Sequence, residues 1–67
     1  MIVLNGQLAD VRGGETVAAV LAHLGLDANA RGVAVAVDGE VVPRAEWAAR
    51  VVGEEARVEV LTAMQGG

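Results

Sequence analysis

Residues 16–26 read TVAAVLAHLGL. Val17, Val20, Leu21 and Leu24 follow the i, i+3, i+4, i+7 spacing that lays one apolar face along an α-helix. Thr16 stands where an N-cap hydroxyl accepts an amide from the first turn. Gly25 stands where a left-handed residue closes a helix, and Leu26 follows as the hydrophobic contact that accompanies such a close. The spacing predicts one helix of about 8–10 residues with a single buried face.

Strand signals flank this helix on both sides. Upstream, the run Met1 to Leu4 meets Asn5-Gly6 at once, and Gln7 to Val11 follows. Asn-Gly between two such runs predicts a hairpin, because a type I′ turn needs positive φ at both central residues. Gly13-Gly14 ends the return strand. Downstream, Asp27 to Gly32 is a polar connector. Val33, Val35 and Val37 then alternate with Ala34 and Ala36, a strand branched on one face and small on the other. Asp38-Gly39 predicts a second hairpin, with Glu40 to Val42 as its short return and Pro43 as its stop. Ala45 to Ala49 reads as a single helical turn around Trp47, and Gly53-Glu54-Glu55 as another turn. Arg57 to Leu61 forms the last strand, with Val58 and Val60 turned inward. Hairpin, helix, hairpin, turn and strand in one short chain predict an α+β fold, a single mixed sheet of about five strands covered by one helix. Residues 1–61 then make the domain, and residues 62–67 a flexible C-terminal tail.

With 67 residues the core is thin, and no cysteine is present to reinforce it. One histidine and no cysteine leave almost nothing from which to build a metal site. Nine acidic residues against five cationic ones give a net charge of −4, all the cations being arginine. Nucleic acid wants a basic face and fits this balance poorly, whereas a basic groove on another protein complements it. The chain opens straight into a strand, without the basic and apolar regions of a secretory signal. Its longest uncharged run is the 11-residue stretch above, short of the ~20 residues that cross a bilayer. A soluble, cytoplasmic protein is expected.

Few residues offer chemistry. Arg12-Gly13-Gly14-Glu15-Thr16 precedes the helix, where anions bind, but a phosphate-binding P-loop needs a lysine. The loop therefore reads as a turn, and the chain is not expected to bind ATP itself. His23 lies on the flank of the helix with no thiol to activate, so it reads as a solvated side chain. Glu54, Glu55 and Glu59 read as solvated charge. Trp47 reads as a plug closing one end of a Val, Leu and Ala core, with a recognition anchor as its other possible use. The end of the chain is more pointed: Leu61 to Gly67 reads LTAMQGG. Extended, residues 62–67 reach at most ~20 Å, enough to enter another protein's active site. Gly66 and Gly67 have no Cβ and would pass a narrow one, leaving the terminal carbonyl open to attack. Met64 either docks on a partner or folds back on the sheet.

The blocks MIVLNG, TVAAVLAHLGL, VAVAVDGEVVPRAEW and RVEVLTAMQGG together resemble the ubiquitin-like β-grasp sulfur carriers over essentially the whole chain. Pro43-Arg44 followed by Trp47 resembles most closely the ThiS-type carriers of thiamine biosynthesis, set apart from the molybdopterin-pathway carriers. Two turns differ from the commoner family form: Val52-Gly53-Glu54-Glu55 stands where an Asp-Gly-Asp type turn is frequent, and Asp38 where Asn is. The resemblance implies that Gly67 is adenylated by a separate ATP-using enzyme of the ThiF type and that sulfur then displaces AMP, leaving a thiocarboxylate. A cysteine desulfurase relay would supply that sulfur indirectly, and a ThiG-type thiazole synthase would consume it. By position, Gly67 bears the sulfur, Gly66 is its flexible neighbour, and Ala63, Met64 and Gln65 thread into the partners. The chain itself would hold no cofactor or metal and act as a co-substrate rather than an enzyme.

Other uses of the same tail remain open at this point. It could feed molybdopterin, a tRNA base or cysteine synthesis, or Gly67 could join a target lysine as a protein modifier. An interaction domain with idle glycines is the plainest alternative. An enzyme with its own active site ranks last, since no nucleophile–base pair is evident.

Overall fold

The computed structural model describes residues 1–26 and 31–62. Five strands, one helix and a 3-10 turn follow in the order β1 (Ile2–Leu4), β2 (Gln7–Ala9), α1 (Val17–His23), β3 (Val33–Val37), β4 (Glu40–Val42), the turn Arg44–Glu46, and β5 (Arg57–Thr62). The sheet order is β2-β1-β5-β3-β4. Chain order places β5 last, but spatially it is the central strand, parallel to β1 and antiparallel to β3. The expected mixed sheet with one helix is what forms.

Both hairpins close on the residues that their turns require. Asn5 and Gly6 take φ of 51° and 82°, and Asp38 and Gly39 take 51° and 83°. These are the paired positive values of a type I′ turn, which few side chains tolerate. The return strand expected over residues 7–11 is shorter, because the Val11 amide donates back to the Ala9 carbonyl at 2.8 Å. That three-residue γ-turn diverts the chain at Asp10 and ends the ladder. Val11 nonetheless buries its side chain, at 5% exposure.

The helix spans seven residues, shorter than the spacing suggested. Its start is fully accounted for. Thr16 Oγ1 accepts from the Ala19 amide at 3.2 Å, and the Thr16 carbonyl accepts from Val20 at 3.0 Å. The two remaining first-turn amides go outside the helix: Val17 donates to the Arg50 carbonyl and Ala18 to the Trp47 carbonyl, both at 2.9 Å. The stretch after the 3-10 turn is thus laid across the helix N-terminus, supplying acceptors that an isolated helix would leave to water. At the other end Gly25, at φ 75°, donates to Ala22 and Leu26 donates to Leu21. That 5→2 and 6→1 pair is a Schellman close. It takes Leu24 out of the helical path, so Leu24 is partly exposed instead of joining the buried face, and Leu26 packs on the core in its place.

Val17, Val20 and Leu21 of α1 meet Ile2, Val35, Val37, Val42, Val58 and Val60 of the sheet, with Trp47, Val52 and Ala56 closing the margin. Each fully buried aliphatic side chain contributes roughly 1.5–3 kcal/mol relative to exposure. Trp47 is 2% exposed and its Nε1–H donates to the Val42 carbonyl at 2.9 Å. It is a plug, and a surface recognition role is ruled out. The Arg44 guanidinium lies 4.4 Å from the centroid of the ring and covers it from outside.

Candidate functional site

All five expected site residues, Ala63, Met64, Gln65, Gly66 and Gly67, lie outside the described residues. What the structure defines is the platform from which they continue. Thr62, assigned above to the tail, is the last residue of β5 and pairs with Val33 of β3. Along its length β5 pairs with β3 in unbroken register from Val58↔Val37 to Thr62↔Val33. Val58 and Val60 are buried while Arg57, Glu59 and Leu61 alternate outward. The root of the tail therefore rests on the most tightly bracketed strand of the sheet.

On the other edge of β5, backbone pairing with β1 covers Arg57 and Val58, after which β1 turns away at Asn5-Gly6. The Asn5 carboxamide continues the ladder. Its Oδ1 accepts from the Val60 amide at 2.8 Å and its Nδ2 donates to the Val60 carbonyl at 3.2 Å. An amide side chain here replaces a peptide unit, since it offers one donor and one acceptor in similar geometry. Asp38 makes a related bond at the start of β5, accepting from the Arg57 amide through Oδ1 at 2.9 Å. Reading both residues only as turn formers missed these bonds. The available signal was that each turn residue with positive φ also carries a carbonyl or carboxylate able to reach the backbone.

A shallow groove of about 450 Å³ opens where β1 departs, lined by Val3, Asn5, Gly6, Arg57, Glu59 and Leu61 among others. His23 and Glu15 approach to 3.4 Å on the far side of the molecule, His23 exposed and Glu15 half-buried, beside Ala19 and Ala22. Nothing in their surroundings aims either group at a bound reactant. Among the described residues no group of three or more His, Cys, Asp or Glu could hold a metal ion, and no helix is long and apolar enough to cross a membrane.

Glu54 departs from the expectation of plain solvated charge. Its Oε1 accepts from the Met1 ammonium at 2.6 Å and from the Gly13 amide at 3.1 Å. The hydrogen bond from the ammonium, then that from Gly13, hold its carboxyl below the ordinary range. Glu54 thus ties the start of β1 and the Gly13 loop to the turn before β5.

The ThiS family model matches residues 2–67, which takes in every strand, the helix and the final glycines. The chain belongs to the ThiS family. A crystal structure of the thiamine biosynthesis protein ThiS from Geobacter metallireducens is 32% identical, with a TM-score of 0.75 over 98% of this chain and 97% of that one. A solution structure of a thiamine biosynthesis protein from the same organism is 33% identical, also at 0.75, over 98% of this chain and 86% of that one. No curated protein matches significantly. The β-grasp fold expected of ThiS proteins is the fold seen here, and ThiS membership supports a sulfur carrier of thiamine biosynthesis.

Proposed function

We propose that the chain carries sulfur as a thiocarboxylate on Gly67 and delivers it for thiazole formation in thiamine biosynthesis. The observation that carries this reading is the ThiS family match through residue 67, on a domain whose last strand is held on both edges. In the proposed sequence a ThiF-type enzyme binds the tail, and the Gly67 carboxylate attacks the α-phosphorus of ATP, expelling pyrophosphate. Sulfide then adds to the acyl carbon, AMP leaves, and a proton passes to solvent. Adenylation matters because carboxylate oxygen is a poor leaving group and AMP a good one. A ThiG-type synthase takes the sulfur.

In this scheme the carrier contributes a carboxylate, a slender approach and a docking body, while catalysis belongs to the partners. Ala63, Met64 and Gln65 thread into them, with Gly66 giving clearance next to the reacting carbon. The likeness to thiamine biosynthesis proteins favours thiazole over molybdopterin, tRNA or cysteine as the destination.

The test is to incubate the chain with a ThiF-type enzyme, ATP and sulfide, alkylate thiols, and record an intact mass. Alkylation is essential because methionine oxidation adds nearly the same mass as exchanging oxygen for sulfur. The chain has no cysteine, so one alkyl adduct mapping to Gly67 is the expected result. An enzyme that labels other carriers but never this one would overturn the proposal.

A further inference from the structure

The face of the sheet turned away from α1 has no covering element among the described residues. Leu8, Val41 and Leu61 stand on it at 75%, 73% and 66% exposure. Register places them around a charged centre. Leu8 lies opposite Val3, and Val3 lies beside Arg57, making one row across β2, β1 and β5. Glu59, Ala36 and Val41 make the next row across β5, β3 and β4. Arg57 and Glu59 are thus neighbours on the outward side of the central strand, separated by roughly 7 Å along it. Neither side chain has an ion-pair partner among the described residues.

We propose that this face binds a second copy of the chain, about a two-fold axis that crosses β5 between Arg57 and Glu59. The inference is independent of the sulfur chemistry. Two axes in the plane of the face relate sheets stacked with their strands aligned. One running along β5 would set Arg57 on Arg57 and Glu59 on Glu59, which charge repulsion forbids. The axis across β5 runs the two strands antiparallel and sets each Arg57 over the other copy's Glu59, making two ion pairs at the centre.

The shape is self-complementary about that same axis. It exchanges the row of Leu8 and Val3 with the row of Asn5 and Gly6, which with Val3, Arg57 and Glu59 line the groove of about 450 Å³. Leu8 of each copy is thereby brought over the hollow of the other. Twenty strand residues at ~3.3 Å rise and ~4.8 Å strand spacing give each copy a face of roughly 300 Å². Two such faces fall short of the ~1,000 Å² expected of a stable specific interface, so the dimer is weak and reversible.

The experiment is sedimentation velocity of the full chain from 10 µM to 1 mM, with amide chemical shifts followed on dilution. A monomer–dimer equilibrium that weakens in high salt is expected, with dilution shifts at Val3, Glu59 and Val41 rather than on α1. Arg57→Glu and Glu59→Arg, each confirmed folded by circular dichroism, should weaken self-association at least about 10-fold. Mixed together, they should associate again, because every contact across the axis then joins opposite charges. A chain that is monomeric at 1 mM would overturn the proposal, as would dimers indifferent to either variant, single variants that fail to combine, or shifts confined to the helix. The unmutated dilution series needs no variant to fold.

Discussion

The Asn5 carboxamide hydrogen-bonds both the amide and the carbonyl of Val60, joining the first hairpin turn to the last strand across 55 residues of sequence. Val60 is two residues before the end of the described β5. One side chain thus serves the turn that starts the fold and the strand from which the tail continues. Asn5→Gly keeps the positive φ and removes both bonds, and should cost about 1–2 kcal/mol in chemical denaturation. Asn5→Ala adds left-handed strain of about 1 kcal/mol. Asn5→Asp should be worse than Asn5→Gly, because it sets a carboxylate oxygen against the Val60 carbonyl.

Gly13 is fixed by space rather than by φ. A Cβ there would lie 2.5 Å from the Glu54 backbone nitrogen and 2.7 Å from its Cα, atoms that cannot move aside without shifting the turn. Gly13→Ala should destabilise by about 2 kcal/mol or more. Gly53→Ala, with nothing within 4 Å of the added carbon, is the matched control and should fall within about 0.5 kcal/mol of wild type.

Glu54 should make stability depend on acidity. Its folded carboxyl is held below the ordinary carboxylate range by the Met1 ammonium and the Gly13 amide, so the ionised form is favoured in the folded state. That contribution is fully present above the unfolded value and is lost as pH falls through the lowered folded one. Thermal midpoints of wild type and Glu54→Gln measured from pH 6 down to pH 2 should therefore converge at the acid end. A constant gap across the range would rule out this ion pair as the cause. Because the pair is exposed, salt should also narrow the gap at neutral pH.

Trp47→Phe removes the donor to the buried Val42 carbonyl and leaves a void, and should cost about 2–4 kcal/mol by denaturant unfolding. Trp47 is the only aromatic residue, so fluorescence reports on this plug alone. Its emission should be blue-shifted in the native state and move red in the same transition seen by circular dichroism.

Deleting Gly66-Gly67 should abolish thiocarboxylate labelling while leaving the circular dichroism spectrum and thermal midpoint of the domain unchanged, since the buried cluster lies wholly within residues 2–60. Loss of the fold together with labelling would leave the glycines a structural role instead.

The sequence specifies the elements, because their signals are local. Hydrophobic spacing placed α1, Asn5-Gly6 and Asp38-Gly39 placed both hairpins through their demand for positive φ, and β-branched alternation set Val33, Val35 and Val37 on one face of β3 and turned Val58 and Val60 of β5 inward. It also supplied the Gly66-Gly67 pair on which the proposed tail chemistry rests, in a chain without cysteine. Tertiary structure decided how these pieces join. The central place of β5, its parallel pairing with β1, the carbonyls of Trp47 and Arg50 that finish the helix N-terminus, and the grip of Asn5 on Val60 all link residues far apart in the chain. Such bonds depend on which polar groups remain unpaired once the core has closed, and no local pattern encodes that.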